Sequence, residues 1–142
     1  MRLLISACLL GEPCRYDGAS KPLSPEKLET LMREHTLIPV CPEQLGGLPT
    51  PRTPSERQGD RVVMRDGTDV TAEYAKGAAI ACSLAAQTAA EAALLKAHSP
   101  SCGSGAIYDG TFSGTLIPGD GVTAELVKTL GIPVYTEDTF PF

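Results

Sequence analysis

Cys41 and Glu43 place a thiol and a carboxylate two residues apart in the stretch L-I-P-V-C-P-E-Q-L-G-G, from Leu37 to Gly47. A thiolate is a nucleophile and a soft metal ligand. A carboxylate at the same place is a candidate general acid or base; the alternative is a turn carboxylate bonded to backbone N–H groups. Four more cysteines, at 8, 14, 82 and 102, bring the total to five. An odd number argues against a complete disulfide framework and favours metal binding or catalysis. No C-x-x-C occurs, so spacing alone identifies no metal signature.

Which cysteines meet depends on the strands that carry them. Leu37, Ile38 and Val40 form a short apolar run, read as a buried strand over 37–41. Pro42 has no N–H to give, so pairing stops there. R-L-L-I-S-A, residues 2–7, reads as the first strand, ended by Cys8. A-A-L-L-K-A, residues 92–97, is ambiguous between a helix end and a strand; 93–97 is assigned as the third strand, with Cys102 just beyond.

Three helices connect these runs. Ser24 is an N-cap with Pro25 at the first helical position, and Leu28, Leu31 and Met32 share a face, giving a helix over 25–34. The Ala-rich stretch from Thr71 to about Glu91 has high helix propensity. Its face of Tyr74, Ala78, Ala81, Cys82, Ala85 and Ala89 suits close packing on a sheet. A third helix spans 122–130, with Gly131 as its C-cap and Pro133 beyond, before a last strand over 132–136. Between these, Asp66-Gly67 signals a hairpin of 61–64 with 68–70. Residues 48–60, with three prolines, read as a mobile surface loop, a lid. Residues 103–121, with six glycines, read as a long loop packing Ile107, Tyr108 and Phe112. The order β-α-β-hairpin-α-β-α-β predicts an α/β fold with a mainly parallel sheet, a single Rossmann-like three-layer domain over residues 1–142.

In such sheets the ligand crevice lies outside the carboxyl ends of the strands. Cys8, Cys41 and Cys102 then stand at three strand ends about 5 Å apart from neighbour to neighbour. Three thiolates with no fourth partner suit an iron–sulfur cluster with one open iron, or zinc with one open position. Each cysteine taken alone is equally a small core residue. Cys14 is either a fourth ligand or a support for its turn, and Cys82 is assigned to the core. His98 is a candidate ligand or proton shuttle, against a loop histidine bonded to backbone. His35 ends the first helix and is given no function. Ser99 and Ser101 bracket Pro100 and can donate to a substrate, although serines in such turns commonly bond their own backbone. Gly103, Gly105, Gly110 and Gly114 suggest an anion cradle, without the G-K-[ST] of a P-loop. Arg15, Arg52 and Arg57 are loop arginines with solvated surface as their default.

Five segments in order, S-A-C-L-L-G-E-P-C-R-Y-D-G (6–18), P-V-C-P-E-Q-L-G-G-L-P-T-P-R (39–52), D-G-T-D-V-T (66–71), S-P-S-C-G (99–103) and Y-D-G-T-F-S-G (108–114), resemble the stand-alone thiouracil desulfidase family. The resemblance covers nearly the whole chain. It implies a [4Fe-4S] cluster held by Cys8, Cys41 and Cys102, with catalytic residues at Glu43 and Ser99. It implies non-redox removal of sulfur from a thiolated heterocycle such as 2-thiouracil, giving uracil and sulfide. A sulfurtransferase on the same cluster, or a non-catalytic module binding metal or a small ligand, are the alternatives.

Composition sets outer bounds. The 142 residues supply one real core. Apolar content is 42 %, aromatic content 5 %, and there is no Trp. A net charge of −5 argues against a nucleic-acid surface. No apolar run is long enough to span a membrane. M-R-L-L-I-S-A-C is too short for an export signal, so a cytoplasmic chain with reduced thiols is expected.

Overall fold

The computed structural model describes residues 1–142. Four parallel strands form the central sheet: β1 (Arg2–Ser6), β2 (Thr36–Val40), β5 (Ala92–Leu94) and β8 (Val134–Tyr135), in the order β2-β1-β5-β8. The chain leaves β1 toward one edge, then returns past it to β5 on the other side. Side chains of β1 alternate between the two faces, as a period of two requires. Leu3 and Ile5 pack with Leu31 of α1 (Pro25–Glu34) and with Phe140. Leu4 faces the opposite way, with Val40, Leu95, Ala85 of α3 (Thr71–Gln87), and Ala124 and Val127 of α4 (Val122–Lys128). Helices therefore cover both faces. Leu3, Leu4, Ile5, Leu31, Leu94 and Leu95 are all fully buried, each contributing about 1.5–3 kcal/mol of transfer free energy.

The helix starts follow local chemistry. Ser24 caps α1 by accepting from the Lys27 amide at 3.4 Å, with Pro25 in the first turn. Only Leu31 of its apolar positions is fully buried; Met32 is exposed. On α3, Tyr74, Gly77, Ala78, Ala81 and Ala85 are buried. This helix stops at Gln87 rather than near Glu91, because Ala89 turns to φ 52° and the chain enters β5 beside β1 at Ala92. Accordingly β5 comprises 92–94, not 93–97.

Two expected loops contain strands. β3 (Ser55–Gln58) lies inside the stretch read as a mobile lid and pairs antiparallel with β4 (Arg61–Met64), the expected strand that follows it. The turn at Asp66-Gly67 exists, with Gly67 donating to the Met64 carbonyl, but it closes only one bridge, Val63 with Asp69. The hairpin proper lies one strand earlier. Likewise β6 (Ala106–Tyr108) and β7 (Leu116–Pro118) form a hairpin within the expected glycine-rich loop. A one-turn helix, α2 (Pro42–Leu45), follows β2 directly. No helix is long and apolar enough to cross a membrane.

Candidate active site

Beyond the carboxyl ends of β2, β1 and β5 lies a cleft of about 770 Å³. These strands are consecutive neighbours in the sheet, so the chain segments that follow them open side by side. After β1 a 3-10 turn, Ala7–Leu10, carries Cys8. After β2, Cys41 is the N-cap of α2 and Glu43 stands in its first turn. After β5 the chain runs through His98 and Ser99 to Cys102. All three cysteines, with Glu43 and Ser99, line this one cleft.

Cys14 lines it too, 5 % exposed, and its thiol meets both Cys41 and Cys8. Hydrogen bonding from the Cys41 thiol pulls Cys14 down, but Cys8 and burial outweigh it and leave Cys14 at about 11. Cys41 is raised by the same thiol contact with Cys14 and then by burial. Burial above all pushes Cys102 up to about 12, helped by the charges of Glu43 and Cys41. Metal-free, Cys14, Cys41 and Cys102 are therefore protonated at neutral pH. Cys82 lies elsewhere: it is half-buried on α3, against the Leu126 carbonyl of α4 at 3.9 Å.

Glu43 is held by one residue. Arg52 Nε donates to Glu43 Oε2 at 2.8 Å, and Arg52 Nη2 donates to the same oxygen. The Arg52 side chain is 3 % exposed. This burial corrects the picture of 48–60 as a mobile surface loop: the segment is a wall of the cleft, drawn in by a buried ion pair. Tyr74, also in the lining, has its phenol pushed up by burial and by the nearby Glu43 carboxylate.

Ser99 does what serines in turns do: its Oγ accepts from the Ser101 and Cys102 amides, both at 3.1 Å. Its own hydroxyl proton stays available to the cleft. Ser101 is fully buried against Thr123 Oγ1 at 2.8 Å, so it serves packing with α4. His98 adopts φ 68° and stacks edge-on with Tyr108, ring centroids 6.1 Å apart. Its ring takes no backbone partner, contrary to the expected loop bonding. His35 lies by Met1, away from the cleft.

Three of the four glycines expected to cradle an anion have their amides occupied within the fold. The amides of Gly103, Gly105 and Gly110 are taken by the Ser99 carbonyl, Asp120 Oδ1 and Glu56 Oε1. Arg57 ties β3 to α4 through the Asp120 carbonyl and Glu125. Arg15 does reach the cleft wall, stacked over Tyr16. Glu56 was not singled out from the sequence. It is buried, and its Oε1 also accepts from the Phe112 amide at 3.1 Å, fastening the 109–114 loop over the cleft. Nothing in S-E-R-Q announces a buried carboxylate.

The donor set fits a cysteine-held iron–sulfur cluster. Thiolates are the ligands such clusters take, and three come from adjacent strand ends. Arg15, Lys21, Arg52, Arg65 and Lys96 line the cleft against Glu43 and Glu56, an excess of cations that favours an anionic group in an otherwise acidic chain.

The fold and cleft define an α/β domain with a thiol-lined pocket at the carboxyl edge of a parallel sheet. The 2-thiouracil desulfurase family model matches residues 3–139, and the chain belongs to that family. An uncharacterized protein of Bacillus subtilis (strain 168), YbbK, is 44 % identical over 146 residues, covering 96 % of this chain and 95 % of that protein. The solved structure of a [4Fe-4S]-dependent thiouracil desulfidase, TudS, superposes with a TM-score of 0.94 at 49 % identity, covering 99 % of this chain and 93 % of that one.

Proposed function

We propose that this chain is a [4Fe-4S]-dependent desulfidase that hydrolyses the C–S bond of a small thiolated base such as 2-thiouracil, giving uracil and sulfide. One observation carries the reading: Cys8, Cys41, Cys102, Glu43 and Ser99 line a single cleft. Cys8, Cys41 and Cys102 would hold the cluster. When bound, it supplies a Lewis-acidic iron without a protein ligand, suited to a thiocarbonyl sulfur. Glu43, held by Arg52, takes a proton from the water that attacks the carbon bearing sulfur. Ser99, its oxygen committed to two amides, donates its hydroxyl proton toward the ring. Base plus water gives the oxo-base plus hydrogen sulfide, with no electron transferred.

The strand order and helices on both faces support a Rossmann-like three-layer fold, with residues 1–142 as one desulfidase domain. A cytoplasmic setting suits five free thiols, and the acidic net charge speaks for small molecules over nucleic acid as partners. The test is anaerobic reconstitution followed by sulfide release from 2-thiouracil with no redox partner. Release by the loaded form alone supports the proposal. Release by the metal-free form at the same rate, or only with a sulfur acceptor present, overturns it.

A further inference from the structure

Arg52 has five N–H donors, and every one has a partner. Nε and one Nη2 proton go to Glu43 Oε2. The other Nη2 proton goes to the Cys14 carbonyl at 3.0 Å. Nη1 donates to the Pro49 carbonyl at 3.2 Å and to Thr50 Oγ1 at 3.0 Å. The Arg52 amide adds a bond to the Tyr16 carbonyl at 2.7 Å. Thr50 Oγ1 also accepts from Gln44 Nε2, beside Glu43 on α2, at 2.9 Å. One guanidinium thus joins the carboxylate, the turn bearing Cys14 and the 49–52 wall.

Both bonds to Glu43 fall on the same oxygen. An Arg–carboxylate pair that met side-on would engage both oxygens. Here Oε2 is doubly occupied and Oε1 receives no guanidinium proton. A carboxylate on a flexible side chain is otherwise free to turn about its terminal torsion and present either oxygen. The Arg52 fork removes that freedom. We propose that Arg52 is the positioning residue of Glu43: it pins Oε2, so that Oε1 alone faces the reaction in a fixed direction. The inference rests on the role given above to Glu43.

Lysine keeps the charge but is a point donor without the planar fork, so Arg52→Lys is the informative variant. It is measured alone, with Glu43→Gln alone, and with both changes, on reconstituted protein under anaerobic conditions. Glu43→Gln keeps an acceptor oxygen for Arg52. Cluster absorbance and thermal unfolding are read alongside kcat and KM. Expected is an Arg52→Lys enzyme that binds its cluster, keeps KM and loses about 10–10²-fold in kcat, since small misplacements of a reacting group cost up to about 10². On the Glu43→Gln background the same change should have little further effect, because coupled residues are non-additive. Added guanidinium ion should partly restore a smaller variant, Arg52→Ala. Equal losses on both backgrounds, an unchanged kcat, or failure of Arg52→Lys to fold or take up the cluster would each overturn the proposal and leave Arg52 structural. If Glu43→Gln alone retains full kcat, the role of Glu43 fails instead, and the Arg52 inference fails with it.

Discussion

Gly77 of α3 lies against the backbone of Pro42 in α2. A methyl group added at Gly77 would stand 1.9 Å from the Pro42 carbonyl oxygen, and one at Gly46 would stand 2.0 Å from the Glu73 carbonyl oxygen. Gly46 has φ −75°, so space and not backbone freedom is the reason for glycine there. The contact matters because α2 is a single turn, Pro42–Leu45. A helix that short does not hold itself in water. Its position, and with it Cys41 and Glu43, is set by the long helix beneath.

Gly77→Ala tests this contact, and two effects oppose each other. Alanine in a helix interior gains about 1 kcal/mol over glycine. Overpacking costs about 1–3 kcal/mol. Here the colliding atoms are backbone, which cannot swing aside, so the clash wins. The variant should melt lower and take up less cluster, because α2 moves away with Cys41. Ala79→Gly, at an exposed position of the same helix, should lower stability without touching cluster uptake. A Gly77→Ala protein that melts higher and loads fully would show the helices have room.

Glu43→Gln should fold and bind the cluster, with turnover down about 10²–10⁴-fold, the usual worth of general acid–base help. Visible absorbance reports the cluster and sulfide release the turnover. Loss of colour in this variant would reassign Glu43 to holding the site together.

The cysteine-bearing strand ends were legible because β1 and β2 are short apolar runs closed by recognisable turn chemistry. Leu3, Leu4 and Ile5 are fully buried, as an apolar run in a covered sheet should be. Other parts were hidden for physical reasons. β3 is S-E-R-Q, with no alternation, and its one buried side chain, Glu56, is a carboxylate satisfied by amides some fifty positions away. β7 is L-I-P with all three residues exposed. Arg52 sits among prolines that read as loop, and its partners elsewhere in the chain, Glu43 and the Cys14 and Tyr16 carbonyls, draw it inward. Such pairings belong to the tertiary structure, and local pattern carries no trace of them.

Ser99 has two jobs that one substitution confuses. Ser99→Ala removes the acceptor for the Ser101 and Cys102 amides, which costs about 0.5–2 kcal/mol, as for a lost cap, and loosens Cys102. Asparagine keeps a side-chain oxygen for those amides but has no hydroxyl. Ser99→Asn should therefore recover most of the stability lost in Ser99→Ala while turnover stays low. Chemical denaturation and sulfide release, run on both variants, separate the two jobs. Full turnover in Ser99→Asn would mean that the hydroxyl proton is not used.

Glu56 fastens the loop that carries Phe112 and Gly114 into the cleft lining. Glu56→Ala leaves two amides without their acceptor, at about 1–3 kcal/mol for unsatisfied buried groups. The loop then opens, and KM should rise more than kcat falls. Glu56→Gln retains Oε1 as acceptor and should sit near the parent protein. Steady-state kinetics on the pair decide it; an unchanged KM in Glu56→Ala would detach this loop from substrate binding.

The metal-free thiols give a pH dependence whose sign follows from their surroundings. Of the thiols that would hold the cluster, Cys41 is raised by its contact with the Cys14 thiol and by burial, and Cys102 sits at about 12, mainly through burial. In the unfolded chain a thiol titrates near 8.5. Between these values the folded state holds protons that the unfolded state has released, so stability falls as pH rises. The contribution is whole below about pH 8.5 and is lost progressively as pH climbs toward 12. Lysines and tyrosines titrate in the same range, but they do so in loaded and metal-free protein alike. In loaded protein the cluster-bound thiolates have no proton left to lose, so the slope of unfolding midpoint against pH should be shallower than in the metal-free form. Cluster insertion must also expel those protons, so uptake should strengthen as pH is raised through the neutral range. Anaerobic thermal melts of both forms from pH 7 to pH 10, with iron uptake followed at each pH, measure both effects. Parallel slopes and pH-independent uptake would mean that these thiols are not the ones the cluster takes.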